Sequence, residues 1–153
     1  MPTRTNSSLP ISKSKLGYTT SNVYRMPVKK VWDAATDPKH LKKHFIDGMK
    51  GTFNPKLEPV SWNWKDWGDW NFTPIKYQKE KELVFLAPEM GGKYQIKVRF
   101  EFLRKNGKTV FRVHEEGYMP KDLKTAFMNC EGWSEFHTGL KTYLKYGGAP
   151  RKI

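Results

Sequence analysis

The stretch GWSEFHTGLKTYLKYG, residues 132–147, places Trp133, Phe136, His137, Leu140, Tyr143 and Leu144 at intervals of three and four. At 3.6 residues per turn these positions share one broad face, with Lys141 and Lys145 off it and Gly147-Gly148 as a stop signal. The reading is a long amphipathic helix near the C-terminus. Phe127 and Cys130 are candidates to extend its apolar face upstream, and Gly132 is a candidate break.

Such a helix must bury its stripe on another layer. Residues 52–118 supply that layer, because there the period of the pattern falls to two. Tyr94, Ile96, Val98, Phe100 and Phe102 alternate with Gln95, Lys97, Arg99 and Glu101, as in an antiparallel strand with one wet face. Asn106-Gly107 turns the chain into a strand at 109–116, where Phe111, Val113 and Glu115 share a face. Upstream, Val60, Trp62 and Trp64 alternate with polar residues, and KDWGD (65–69) leads into a second strand, Trp70–Tyr77. Leu83–Ala87 reads as a short buried strand. A first strand is expected at 16–26, ended by Pro27, followed by two short helices at 28–35 and 37–45. Thr36 or Asp37 caps the second of these, with Pro38 in its first turn. The class is α+β: an antiparallel sheet, two small helices after the first strand, and one long helix on the sheet.

Composition narrows the function classes. The 153 residues suit one domain, read as residues 16–150 behind a flexible tail at 1–15. A single cysteine excludes an internal disulfide framework and a cysteine-rich zinc site, and fits a reducing compartment. No apolar run approaches the roughly 18 residues of a membrane span, and residues 1–15 lack a signal-peptide core, so a cytoplasmic protein is expected. The 28 Lys and Arg against 15 Asp and Glu give a net charge of +13, but the charges are interspersed rather than blocked, which disfavours nucleic acid as the partner. Nucleotide-binding glycine motifs, the nucleophile elbow and the zinc-protease motif are all absent. No cofactor and no metal are expected. His40 and His44, four apart on a short helix, lack a third ligand and are expected at the surface.

In this order and spacing, VWDAATDP (31–38), the glycine-punctuated hairpins and GWSEFHTGLKTYLKYG resemble the START-like, or SRPBCC (Bet v 1-like), helix-grip superfamily. Within it they are most similar to the group named for the activator of Hsp90 ATPase homologues. The resemblance spans residues 16–147. It implies a curved sheet gripping the last helix around a ligand cavity. His44-Phe45 stands where that group carries a Trp-Phe pair, and His137 where it carries an aliphatic residue, so a reshaped and more polar cavity is expected. The resemblance also brings a chaperone partner as an alternative, which no residue supports, because the chaperone-stimulating members carry an additional N-terminal domain.

The expected ligand is a small hydrophobic or lipid-like molecule. Trp62, Trp64, Trp70, Phe72, Phe85, Tyr94, Val98, Phe111, Trp133, Phe136 and Leu140 are the candidate lining. Core packing is the competing reading for all of them. Helical geometry places His137 about 40° from Trp133 and about 20° from Leu144, inside the buried stripe, where an imidazole needs a partner. Glu115 is the candidate partner, and the pair is the expected polar contact with a ligand, or an acid/base if the domain is a cavity enzyme. Trp67, in the turn, is expected to be exposed and to guard an entrance.

Overall fold

The structure, a computed structural model, describes residues 9–148. Its elements run in the order β1 (Gly17–Tyr24), α1 (Val28–Thr36), α2 (Pro38–His44), β2 (Gly48–Lys50), β3 (Val60–Trp64), β4 (Gly68–Gln78), β5 (Glu82–Pro88), β6 (Gln95–Lys105), β7 (Lys108–Glu116) and α3 (Leu123–Tyr146), with a 3-10 turn at Pro120–Asp122. The seven strands form one antiparallel sheet in the order β1-β7-β6-β5-β4-β3-β2. Strands β2 to β7 are successive neighbours, and only β1 crosses the sheet to pair with the last strand.

Local chemistry explains the punctuation. Asp37 caps α2 by accepting the Lys39 N–H at 2.8 Å, and Pro38 occupies the first turn, where its missing N–H leaves nothing unpaired. Asn106 and Gly107 both have positive φ, 51° and 75°, as a tight β6–β7 turn requires. Gly147 ends α3 in the left-handed conformation and donates to the Tyr143 carbonyl.

Helix α3 is continuous through Gly132. Phe127 is 69% exposed and Cys130 half-buried, so the upstream end of the buried stripe is Ala126 instead. The reason is angular: seven residues before Trp133 fall about 20° away, six residues about 120° away. The part of the expected tail at residues 1–8 lies outside the described residues. Residues 9–16 run beside the start of β6 and the end of β7: Gln95 N–H donates to Pro10 O, Ser12 N–H to Gln95 O, and Ser14 Oγ to Tyr118 O. Beyond α3, the final residues of the domain expected at 16–150 also pass outside the described range.

The core lies between the inner sheet face and the stripe of α3. Phe72, Phe85, Phe100, Phe111 and Phe136 are fully buried there and pack edge-on, tilted or, for Phe100 with Phe136, stacked, at 4.4–6.1 Å between centroids. On the outer face the charges pair across strands: Arg99 with Glu82 and Glu101, Arg112 and His114 with Glu101, and Lys97 with Glu116.

Candidate functional site

A cleft of about 900 Å³ opens at one end of the sheet–helix interface. One wall is the middle of α3, from Met128 to Gly139. Opposite it are the α2–β2 connection (His44, Phe45, Asp47), the β3–β4 hairpin and Met90 beyond β5. The hairpin brings Trp64, Trp67 and Trp70 to the cleft, and α3 brings Trp133. Small residues on α3 make the room. Gly132 has open space where a side chain would stand, and Gly139 lets the His44 carbonyl pass at about the distance of a Cβ contact.

The rings are fixed by hydrogen bonds behind them. Trp64 Nε1 donates to Phe45 O and Trp70 Nε1 to Pro88 O, both at 2.9 Å, and Trp133 Nε1 donates to Glu115 Oε2 at 2.7 Å. Each therefore turns its polar edge into the protein and offers ring surface to the cleft. Phe45 packs edge-on to Trp64 at 5.6 Å, and Trp67 does the same on the other side at 5.5 Å. Trp67 is 49% exposed, at the mouth.

Glu115 anchors this wall from inside. It is buried on β7 opposite Tyr18 of β1, and it accepts from Tyr18 Oη at 2.6 Å, Tyr118 Oη at 2.5 Å and Trp133 Nε1, with a longer contact from Asn129 at 3.5 Å. Burial pushes its carboxyl above the usual carboxylate range, and the bonds from Trp133, Tyr118, Tyr18 and Asn129 pull the other way. The Tyr18 and Tyr118 hydroxyls are pushed up by burial and then by the Glu115 charge, so they stay protonated and keep donating. With both oxygens engaged, Glu115 orients Trp133 and Asn129 rather than serving as a free base.

His137 belongs to a separate cluster. Its Nδ1 meets Tyr24 Oη at 2.9 Å and its Nε2 meets Thr20 Oγ1 at 3.2 Å, both partners coming from β1. Burial lowers its pKa to about 4, so it is neutral at pH 7. The expected Glu115–His137 pair is not formed, because each residue is satisfied by its own partners. His44 is also repositioned relative to expectation. It is fully buried, stacked on Phe136 and Tyr143, with Nε2 against Ala34 O at 2.8 Å, while His40 Nδ1 meets Tyr143 Oη at 2.6 Å. Among the described residues no group of three or more His, Cys, Asp or Glu is placed to hold a metal.

Of the candidate lining residues, Trp64, Trp70 and Trp133 face the cleft. Trp62, Phe72, Phe85, Val98, Phe111, Phe136 and Leu140 are buried in the core behind it, and Tyr94 Oη donates to Asp122 at 2.6 Å away from it. The sequence reading missed Phe45, Met90, Met128 and Asn129. The detectable signal for the α3 side was the run of small residues Gly132, Ser134, Thr138 and Gly139 beside the apolar stripe.

With this geometry in hand, the chain can be set beside known proteins. The family model of the activator of Hsp90 ATPase homolog 1-like proteins matches residues 25–145. The chain belongs to this family. Its fold is shared with the Aha1 dimer from Colwellia psychrerythraea (TM-score 0.72, 18% identity, 86% of this chain and 98% of that one). Protein SSP2350 from Staphylococcus saprophyticus is similar too (TM-score 0.73, 17% identity, 86% and 92%). So is DynU16, from the dynemicin biosynthetic locus (TM-score 0.75, 18% identity, 86% and 48%), of which this chain spans about half the length. No curated protein matches the chain. Among the described residues no helix is long and apolar enough to cross a membrane.

Proposed function

We propose that this AHSA1-like domain binds a small, largely apolar molecule in the cleft at the mouth of the sheet–helix interface. The observation that carries the reading is the ring surface of Trp64, Trp67, Trp70, Trp133 and Phe45 around a space of about 900 Å³, within the range of small-molecule sites. Deeper in the interface, Trp62, Phe72, Phe85, Phe100 and Phe136 occupy the volume themselves. The ligand in this reading therefore sits against the core, and three of the candidate residues, Trp64, Trp70 and Trp133, touch it. Binding comes chiefly from apolar burial, about 25 cal/mol per Å², less the cost of ordering the ligand. A catalytic role for His137 has no support from the geometry, since both ring nitrogens are engaged and it does not line the cleft.

Native mass spectrometry of freshly purified protein, with solvent extraction of anything bound, tests the reading together with a Trp64→Ala variant. A small molecule present at stoichiometric level in the parent and lost in a folded variant is the expected result. Equal retention by both would place the ligand elsewhere and overturn the proposal.

A further inference from the structure

The lining of the cleft contradicts the charge of the molecule around it. Against a net charge of +13, the cleft is lined by Asp47, Asp66, Glu131 and Glu135 and by no Lys or Arg. Three of these acids are also exceptional in having no counterpart. Every other Asp and Glu side chain accepts a hydrogen bond or ion pair, Asp47 from the Lys65 N–H and Glu82 from Lys76 and Arg99 among them. Asp66, Glu131 and Glu135 make no side-chain hydrogen bond or ion pair among the described residues.

The donors of the lining are committed in the opposite sense. The indole N–H groups of Trp64, Trp70 and Trp133 point away from the cleft. Ser134 Oγ donates to Cys130 O at 2.9 Å and Thr138 Oγ1 to Ser134 O at 3.1 Å, back along the helix. Asn129 Nδ2 donates to Tyr118 Oη at 2.9 Å. The space is thus poor in free donors, bordered by unpaired carboxylates, and walled by rings set at right angles: Trp64 to Phe45 at 89° and Trp64 to Trp67 at 85°. Ring faces carry negative potential and attract cations, and carboxylates add to that field. A carboxylate head group would find no cationic side chain in the lining, and the indole N–H groups of Trp64, Trp70 and Trp133 already committed elsewhere.

We infer that the ligand of this cleft carries a positive charge, an alkyl- or arylammonium group seated between the tryptophan faces and Asp66, Glu131 and Glu135. The inference rests on the cleft being the binding site and names the class of molecule it takes.

Three probes of matched shape test it: benzyltrimethylammonium, its uncharged carbon isostere neopentylbenzene, and 3-phenylpropanoate. Affinities are measured by calorimetry, with indole N–H chemical shifts locating the site. The ammonium is expected to bind about tenfold tighter than either competitor. In the Asp66→Asn/Glu131→Gln/Glu135→Gln variant that preference is expected to fall to about twofold, with the uncharged probe unaffected. Equal or better binding of the uncharged or anionic probe overturns the charge inference and leaves the cleft as a site. Absence of binding by all three, or shifts away from Trp64 and Trp133, overturns both readings.

Discussion

The indole N–H of Trp133 donates to Glu115 Oε2 across 2.7 Å, which joins the wall of the cleft to a carboxylate buried beneath it. Trp62, 6.1 Å away between ring centroids, has a buried indole N–H that meets no acceptor among the described residues. Two tryptophans in one cluster therefore differ in a single respect that mutation can isolate.

Trp133→Phe and Trp62→Phe remove similar ring area, but only the first leaves a buried acceptor short of a donor. Trp133→Phe is expected to cost about 1–3 kcal/mol more than Trp62→Phe, the desolvation cost of a buried acceptor left without its donor. Urea unfolding of the two variants checks it. Equal losses would mean that the Glu115 bond contributes nothing net.

His137 sets an acid limit on stability. Its pKa is lowered from an ordinary 6.5 to about 4 by burial, so the unfolded chain takes up a proton that the folded one refuses. The stability it confers is complete above pH 6.5 and disappears as the pH falls toward 4, amounting to about 3 kcal/mol across that window. His137→Gln keeps a side chain able to bond Thr20 and Tyr24 but cannot titrate. Its unfolding free energy should fall less steeply between pH 6.5 and 4 than that of the parent, and parallel curves would refute the assignment.

Two glycine-to-alanine changes should have opposite signs. A Cβ at Gly132 meets nothing, so Gly132→Ala in mid-helix is expected to stabilise by about 0.5–1 kcal/mol. At Gly17 the new Cβ would collide with the backbone carbonyl of Glu115 on the paired strand, so Gly17→Ala is expected to cost about 1–3 kcal/mol. Thermal unfolding reads both.

Trp67 stands at the mouth with half its surface exposed. Trp67→Ala is expected to change stability by less than about 0.5 kcal/mol while weakening whatever binds the cleft. Calorimetric titration with benzyltrimethylammonium beside a melting curve separates the two effects.

Most elements were legible in the sequence because each is written in a local period; β2 at Gly48–Lys50, three residues long, is too short to carry one and was not expected. Alternation from Tyr94 to Phe102 with Asn106-Gly107 specifies a hairpin, and Trp133 to Leu144 specifies a helix with a buried stripe. The site was legible only in part. Spacing placed Glu115 and His137 on facing surfaces, but both partners of His137, and Tyr18 among those of Glu115, come from β1, whose register sets Tyr18 opposite Glu115 and Asn22 opposite Phe111. No local pattern encodes that pairing. Nor could spacing show that the central phenylalanines would fill the interface and leave its free volume at one end, since rings that line a cavity and rings that close it share one composition.

The position of β1 has a consequence for the time course of folding. Strands β2 to β7 meet their neighbours one after another, whereas Gly17 pairs with Glu116 and Tyr24 with His137 only after nearly the whole chain is in place. Closing so long a loop is slow and must precede its own reward. The expected order is an early meander of six strands, with β1 and α3 docking last and together through the Thr20–His137–Tyr24 contact. Thr20→Ala should then leave the folding rate almost unchanged and accelerate unfolding, and a slowed folding arm would reverse the order. On a ribosome the first strand would emerge early and wait without a partner, a period in which its exposed edge invites association with other chains.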